Sequence, residues 1–158
     1  MNSKLRTGIG TDAHQFGDSG PLALAGLVWP ETKKLVGHSD GDAAAHAICD
    51  AVLSACQLGD VGSFFGVDKP EIAGISGSEM ITQVRDFVSK KGFVINNVAV
   101  QIIGNTPNIS SRRDEAQAAL TKSLGAPVSV SGTTTDTMGF TGRGEGVSAI
   151  ATALVQIP

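Results

Sequence analysis

The sequence is short of charge, of cysteine and of histidine. Charged residues make up 17% of its 158 positions and the net charge is −3, so no basic stripe marks a nucleic-acid binder. No apolar run reaches the roughly 18 residues that a membrane-spanning helix needs. The start, Met1-Asn2-Ser3-Lys4-Leu5-Arg6, lacks the apolar stretch of a secretory signal, which points to the cytoplasm. The two cysteines, Cys49 and Cys56, lie seven apart on one predicted helix. Roughly 10 Å of helical rise separates them, too far for a disulfide, and they read as small buried apolar residues. The three histidines, His14, His38 and His46, all fall in the first third of the chain.

What remains is ordinary globular composition. Hydrophobic residues make up 41%, and 158 residues are enough for one domain, 1–158, with its own core. Low charge together with 20 glycines suggests that some surface is covered by other subunits. Residues 5–10 read as a short strand ending near Asp12 and His14, and 22–29 as a second strand closed by Pro30. A helix is predicted over 41–58, capped by Ser39 or Asp40 and stopped by Gly59. Residues 61–77 read as irregular. A helix over 78–91 follows, then a strand over 93–103. A helix starting at Ser110 or Ser111 runs to Leu124, with Gly125 as its stop. Strands over 127–132 and 147–157 close the chain, the last nearly all apolar and therefore central or buried. The order β-β-α-α-β-α-β-β implies an α+β fold: a mixed four-to-five-stranded sheet with helices packed on one face.

Two stretches carry chemistry. In the extended run Gly8-Ile9-Gly10-Thr11-Asp12-Ala13-His14, Asp12 and His14 are two apart and share a strand face. His46 falls in the first turns of the helix after His38-Ser39-Asp40-Gly41-Asp42. One carboxylate and two imidazoles on two rigid elements form a three-ligand set with an open fourth position, the pattern of a catalytic zinc. The plainer reading makes Asp12 and His14 a surface or capping pair, and His46 and Asp50 a hydrogen-bonded pair at i, i+4. The second stretch, Thr133-Thr134-Thr135-Asp136-Thr137-Met138-Gly139-Phe140-Thr141-Gly142-Arg143-Gly144-Glu145-Gly146, offers hydroxyls, glycines and an arginine suited to phosphate. Asp136 among them could hold magnesium. The plainer reading is a tight turn between strands.

Gly10-Thr11-Asp12-Ala13-His14, His38-Ser39-Asp40-Gly41-Asp42 with His46, Leu58-Gly59-Asp60-Val61-Gly62, and Thr133-Thr134-Thr135-Asp136 leading into 139–146 together resemble the 2-C-methyl-D-erythritol 2,4-cyclodiphosphate synthase family, in register over nearly the whole chain. The resemblance implies a homotrimer with active sites shared between subunits, and a ring closure that converts 4-diphosphocytidyl-2-C-methyl-D-erythritol 2-phosphate to the cyclic diphosphate with release of CMP. It implies Asp12, His14 and His46 as zinc ligands. Asp136 stands where the family has a glutamate on magnesium or manganese. His38 and Thr134 match positions that stabilise the transition state, and His38 and Ser39 would hold phosphate oxygens. Asp50 and Asp60-Val61-Gly62 would face the methylerythritol hydroxyls, with Phe65 and Lys69 on a loop over the sugar. Residues 104–110, with Gly104, Pro107, Asn108, Ile109 and Ser110 among them, and Thr133, Thr134 and Thr135 would form the cytidine pocket from a neighbouring subunit. Asn108 stands where many members carry a lysine. Phe140 is implied near the substrate, and Arg143 beside Glu145 near the trimer axis. Two other readings share these residues: a metal-dependent phosphohydrolase and a non-catalytic trimeric metal- or nucleotide-binding module.

Overall fold

A computed structural model describes residues 4–66 and 70–158. Seven of the predicted elements form its frame. Strand β1 (Leu5–Gln15) enters a four-stranded sheet, β2 (Leu22–Leu24) and β3 (Leu27–Trp29) form a separate hairpin, and helices α1 (Ala43–Cys56), α2 (Val61–Phe65) and α3 (Gly77–Lys90) follow. Then come β4 (Val94–Ile103), α4 (Arg113–Leu124), β5 (Val128–Thr133), the single turn α5 (Gly139–Gly142) and β6 (Gly146–Gln156). The sheet order is β1-β6-β4-β5. β6 runs antiparallel to both neighbours, while β4 and β5 are parallel. This is the mixed sheet that the element order implies.

The helices cover one face. Val147, Ala149, Ala151, Ala153 and Val155 of β6 are buried there with Val98, Val100 and Ile102 of β4. The alternate residues face outward, and Ile9 (61% exposed) and Ile150 (40%) leave an apolar second face open in the single chain. So β6 is central, as its composition implies, but it is covered on one side only. The β1–α1 contact fixes the frame. A Cβ on Gly8 would strike the Ala51 carbonyl, and one on Gly10 would strike the Ala47 carbonyl and lie 2.5 Å from the Ala51 amide. Glycine on the strand and the Ala47-Ala51-Ala55 stripe on the helix therefore let the two backbones meet. Ile48, Val52 and Leu53 of α1 are fully buried, each worth about 1.5–3 kcal/mol.

Several expectations are corrected. Residues 22–29 are not one strand but a hairpin, because Ala25 (φ 55°) and Gly26 (φ 73°) both turn left-handed, as a two-residue hairpin loop requires. The buried Asp42 carboxylate accepts both turn amides, from Ala25 at 2.9 Å and Gly26 at 2.8 Å, and no turn signal in the sequence reports such a distant partner. Asp42 is also the cap of α1, accepting the Ala45 amide. Neither expected cap serves: Ser39 accepts from the Gly41 amide, and Asp40 accepts from the Asp42 and Gly77 amides. The helix closes on left-handed Gln57 rather than at Gly59. The segment expected to be irregular contains α2, whose capping box pairs Asp60 with Ser63, and a 3-10 turn at Pro70–Ile72. Neither Ser110 nor Ser111 caps α4; Asn108 caps a preceding 3-10 turn at Ile109–Arg112 by accepting from the Ser110 amide. Strand β1 also runs on through Asp12 and His14 instead of ending before them. Cys49 and Cys56 are free and buried, and burial pushes the Cys56 thiol up to about 11 and Cys49 higher still. Among the described residues no helix is long and apolar enough to cross a membrane.

Candidate active site

Gly8, Gly10, Asp12 and His14 share the helix-facing side of β1, and the Gly10–Ala47 approach brings that side against the first turn of α1. His46 stands there. Asp12 Oδ2 lies 2.8 Å from His14 Nε2 and 3.1 Å from His46 Nδ1, and the two ring nitrogens are 3.1 Å apart. The outer nitrogens are engaged as well: His14 Nδ1 lies 2.8 Å from the Val36 carbonyl and His46 Nε2 lies 2.9 Å from Ser39 Oγ. A carbonyl can only accept, so Nδ1 carries the proton of a neutral His14 and the Nε2 lone pair faces inward. With Nε2 of His46 donating to Ser39, its Nδ1 lone pair faces the same point. Two lone pairs and a carboxylate oxygen thus converge, an arrangement that repels itself unless a cation sits between them. Tetrahedral zinc with ligands at 2.0–2.1 Å sets them about 3.3 Å apart, close to the spacing here. The three ligand atoms all lie within 4.8 Å of one another, so the residues fit a metal.

Without a metal the same atoms share protons. Burial works to raise Asp12, but hydrogen bonds from His14 and His46 and their charges outweigh it and bring the carboxyl down to about 2. The hydrogen bond to Asp12 raises His14 above its ordinary 6.5. Asp50 does not pair with His46. It accepts the Val61 amide at 2.7 Å, and burial raises its carboxyl, with Asp60 and Asp12 adding to the rise. Asp60 is held below the usual carboxylate range by the Ser63 amide and hydroxyl. His14, His38, Ser39, His46, Val61, Gly62 and Phe65 line one cavity of about 310 Å³. Its apolar wall comes from Ile72, Ile75 and Met80, which sequence reasoning missed. Ile72 and Ile75 sit in the segment read as irregular, and Met80 read as plain core. Lys69 lies outside the described residues.

The second stretch builds a different cavity. Because β4 and β5 are parallel, the loops after Ile103 and Thr133 leave from the same edge of the sheet. They enclose about 340 Å³ lined by Gly104, Pro107, Asn108, Ile109, Ser110, Thr133 and Thr134. Asn105, within the expected run 104–110, ties the two loops by donating to the Gly142 carbonyl at 2.9 Å. Thr135 is turned inward, donating to the Met138 carbonyl and paired with Thr141. Asp136 is exposed in a left-handed conformation (φ 49°), with the Thr134 hydroxyl 3.4 Å from its carboxylate. Phe140 is exposed and shares a shallow surface with His14. Arg143 pairs with Glu145 at 2.9 Å, both exposed. The two cavities share no lining residue, and neither is lined by Lys or Arg among the described residues.

Fold and site define a single-domain α+β protein with a candidate three-ligand metal set beside one cavity and a second, uncharged cavity at a parallel strand pair. The YgbB family model matches residues 5–156. A 2-C-methyl-D-erythritol 2,4-cyclodiphosphate synthase of Cutibacterium acnes is 58% identical over 153 residues, covering 96% of this chain and 91% of that protein. The corresponding synthase of Acidothermus cellulolyticus is 47% identical, over 95% and 93%. A bifunctional IspD/IspF enzyme of Clavibacter michiganensis is 54% identical over 98% of this chain, which spans 38% of that longer protein. Among solved structures, a CDP-bound 2C-methyl-D-erythritol-2,4-cyclodiphosphate synthase superposes with TM-score 0.86 at 28% identity, covering 96% of this chain and all of that one. The IspF–CDP complex of Plasmodium falciparum superposes with TM-score 0.84 at 26% identity, over 99% of each. The chain belongs to the YgbB family, the 2-C-methyl-D-erythritol 2,4-cyclodiphosphate synthases.

Proposed function

We propose that this chain closes 4-diphosphocytidyl-2-C-methyl-D-erythritol 2-phosphate into 2-C-methyl-D-erythritol 2,4-cyclodiphosphate in isoprenoid precursor synthesis. An oxygen of the 2-phosphate attacks the β-phosphorus, the bond from that phosphorus to the bridging oxygen breaks, and CMP leaves with that oxygen. The observation that carries the reading is the convergence of Asp12, His14 and His46 on one point at the wall of a sugar-sized cavity. The substrate brings its own nucleophile, so no side chain has to become one, and positioning and electrostatics do the work.

Asp12, His14 and His46 would hold zinc, and Asp136 would offer one ligand to magnesium or manganese. Bound there, the two cations would neutralise phosphoryl charge and polarise the β-phosphorus. That need is acute, because no Lys or Arg among the described residues lines either cavity. The exposed His38 and the half-buried Ser39 at the cavity wall hold phosphate oxygens. His38 and Thr134 stabilise charge on the phosphoryl oxygens as it builds. Asp50 and the Asp60-Val61-Gly62 turn receive the sugar hydroxyls, with Phe65 closing the apolar side. Amides and carbonyls of 104–110 and 133–135 read the cytosine edge; the CDP in two neighbouring structures supports this assignment. One chain keeps the two cavities apart, so a complete site needs a second copy, and a homotrimer supplies three such sites. The exposed Ile9 and Ile150 face is the surface that such assembly would cover. The setting is the cytoplasm.

Phosphorus NMR of the purified protein with this substrate and magnesium tests the reading. Two coupled cyclic-diphosphate signals with CMP are expected, and they vanish when a chelator strips the zinc. Inorganic phosphate would replace the synthase by a hydrolase, and an unchanged spectrum would leave only a binding module.

A further inference from the structure

Each imidazole of the metal set engages a partner through its outer nitrogen. For His14 the partner is the backbone carbonyl of Val36, which no side-chain substitution removes. For His46 it is the Ser39 hydroxyl, 2.9 Å from Nε2. Ser39 Oγ also lies 3.3 Å from the Gly41 amide, which can only donate. A histidine whose Nδ1 lone pair faces Asp12 and His14 carries its proton on Nε2, so it donates too. Both lone pairs of the hydroxyl are then taken, and its position is fixed from two sides.

The loop that carries Ser39 is itself held. The Asp40 amide donates to the Ile75 carbonyl at 3.1 Å, and the Asp40 carboxylate accepts from the Asp42 and Gly77 amides. The His46 amide in turn donates to the Asp42 carbonyl. Ser39 and His46 thus sit on opposite sides of one braced segment, and the 2.9 Å bond spans it. A solvent-facing serine with no such brace would gain little by ordering its hydroxyl.

We propose that Ser39 is a positioning residue of the metal centre. By accepting Nε2–H it selects the His46 tautomer that leaves Nδ1 free for the metal and fixes the plane of the ring. This inference rests on the metal reading above, and it adds a role for Ser39 besides contact with a phosphate oxygen. Loss of such a partner typically costs 10–100-fold in metal affinity.

The test measures zinc affinity of the full chain by competition with a chromophoric chelator, without any turnover. It compares the unsubstituted protein with Ser39→Ala and Ser39→Thr. The alanine variant is expected to bind zinc 10–100-fold more weakly, and threonine, which keeps the hydroxyl, to restore most of that loss. Nitrogen-15 NMR of the zinc-loaded protein should show His46 with a metallated Nδ1 and a protonated, hydrogen-bonded Nε2, the latter signature lost in Ser39→Ala. Zinc affinity unchanged in Ser39→Ala would overturn the inference and leave the metal reading intact. So would an unaltered His46 spectrum in that variant. Failure of the unsubstituted protein to bind zinc would overturn the metal reading, and the role of Ser39 with it.

Discussion

The two halves of the site are built in opposite ways. The half proposed to hold metal stands on regular elements: Asp12 and His14 on β1 and His46 on α1, locked together where Gly8 and Gly10 meet the alanine stripe. The other half stands on loops leaving the parallel pair β4 and β5, with Asp136 and Thr137 both left-handed and a cavity lined by uncharged residues. The first half presents charged side chains in a fixed geometry. The second presents uncharged polar residues, Asn105, Asn108, Ser110, Thr133 and Thr134, with the exposed Asp136 carboxylate nearby in sequence. A substitution should therefore act on metal binding in the first half and on nucleotide or divalent-ion handling in the second, with little crossing over until a neighbouring copy joins them.

The sharpest way to break this division is His46→Ala. Two remaining ligands hold zinc poorly, so metal and turnover should be lost together, with a fall in rate on the order of 10³-fold or more, several kcal/mol of charge stabilisation. Zinc content by atomic absorption alongside turnover checks it; full zinc occupancy in the variant would remove His46 from the ligand set. The complementary change is Asp136→Ala. Zinc should stay while magnesium-dependent turnover drops on the order of 10²-fold, the usual scale for removing one charge-stabilising contact. Asp136→Glu, one methylene longer, should keep the divalent dependence. Equal turnover in the alanine variant and the unsubstituted protein would strike Asp136 from the mechanism.

A third change probes the frame instead of the chemistry. Gly10→Ala places a methyl group where the Ala47 carbonyl already lies. Overpacking of this kind costs typically 1–3 kcal/mol, and here the strand must lift from the helix that carries His46. Both the thermal midpoint and zinc affinity should fall, whereas CDP binding, proposed above for the loop half, should suffer far less. Loss of CDP binding in step with zinc would show that the halves are mechanically coupled within one chain.

The same contrast explains what could be read from the sequence. Asp12 and His14 two apart on a strand, and His46 at the head of an alanine-rich helix, leave a pattern because side chains on regular elements obey fixed periods. So the main strands and helices, their mixed sheet and the meeting of Asp12, His14 and His46 at one point were legible. The hairpin at Ala25-Gly26 was not, because its turn is stabilised by Asp42, sixteen and seventeen positions away. The cap of α1 was misplaced for a related reason: three aspartate or serine side chains compete at 39–42, and tertiary partners decide which one serves. The Val36 carbonyl behind His14 has no sequence signature at all, since every residue owns a carbonyl. Helix α2, in the segment read as irregular, was hidden as well: its capping box uses Ser63 where the usual signature has glutamate or glutamine.

The smallest expected effect concerns protons in the metal half, and its sign follows from two shifts in opposite directions. In metal-free protein the His14 pKa lies above its ordinary 6.5, so its contribution to stability is complete below 6.5 and disappears as pH rises through the raised value. The Asp12 pKa falls from 3.8 to about 2, so its contribution is present above 3.8 and disappears as pH falls toward 2. The pair therefore stabilises the chelated protein most between 3.8 and 6.5. Thermal unfolding of chelated protein against an Asp12→Asn reference should show the difference peaking in that window. Zinc competes for the same atoms, so the stabilisation it adds should grow as pH rises and His14 gives up its proton. The loop stretch 133–146 holds no imidazole, and its one carboxylate–guanidinium pair, Arg143 with Glu145, is exposed, so it offers no pair comparable to Asp12 and His14. A zinc-dependent rise in midpoint that stayed flat across the His14 transition would show that His14 does not bind the ion through the nitrogen facing Asp12.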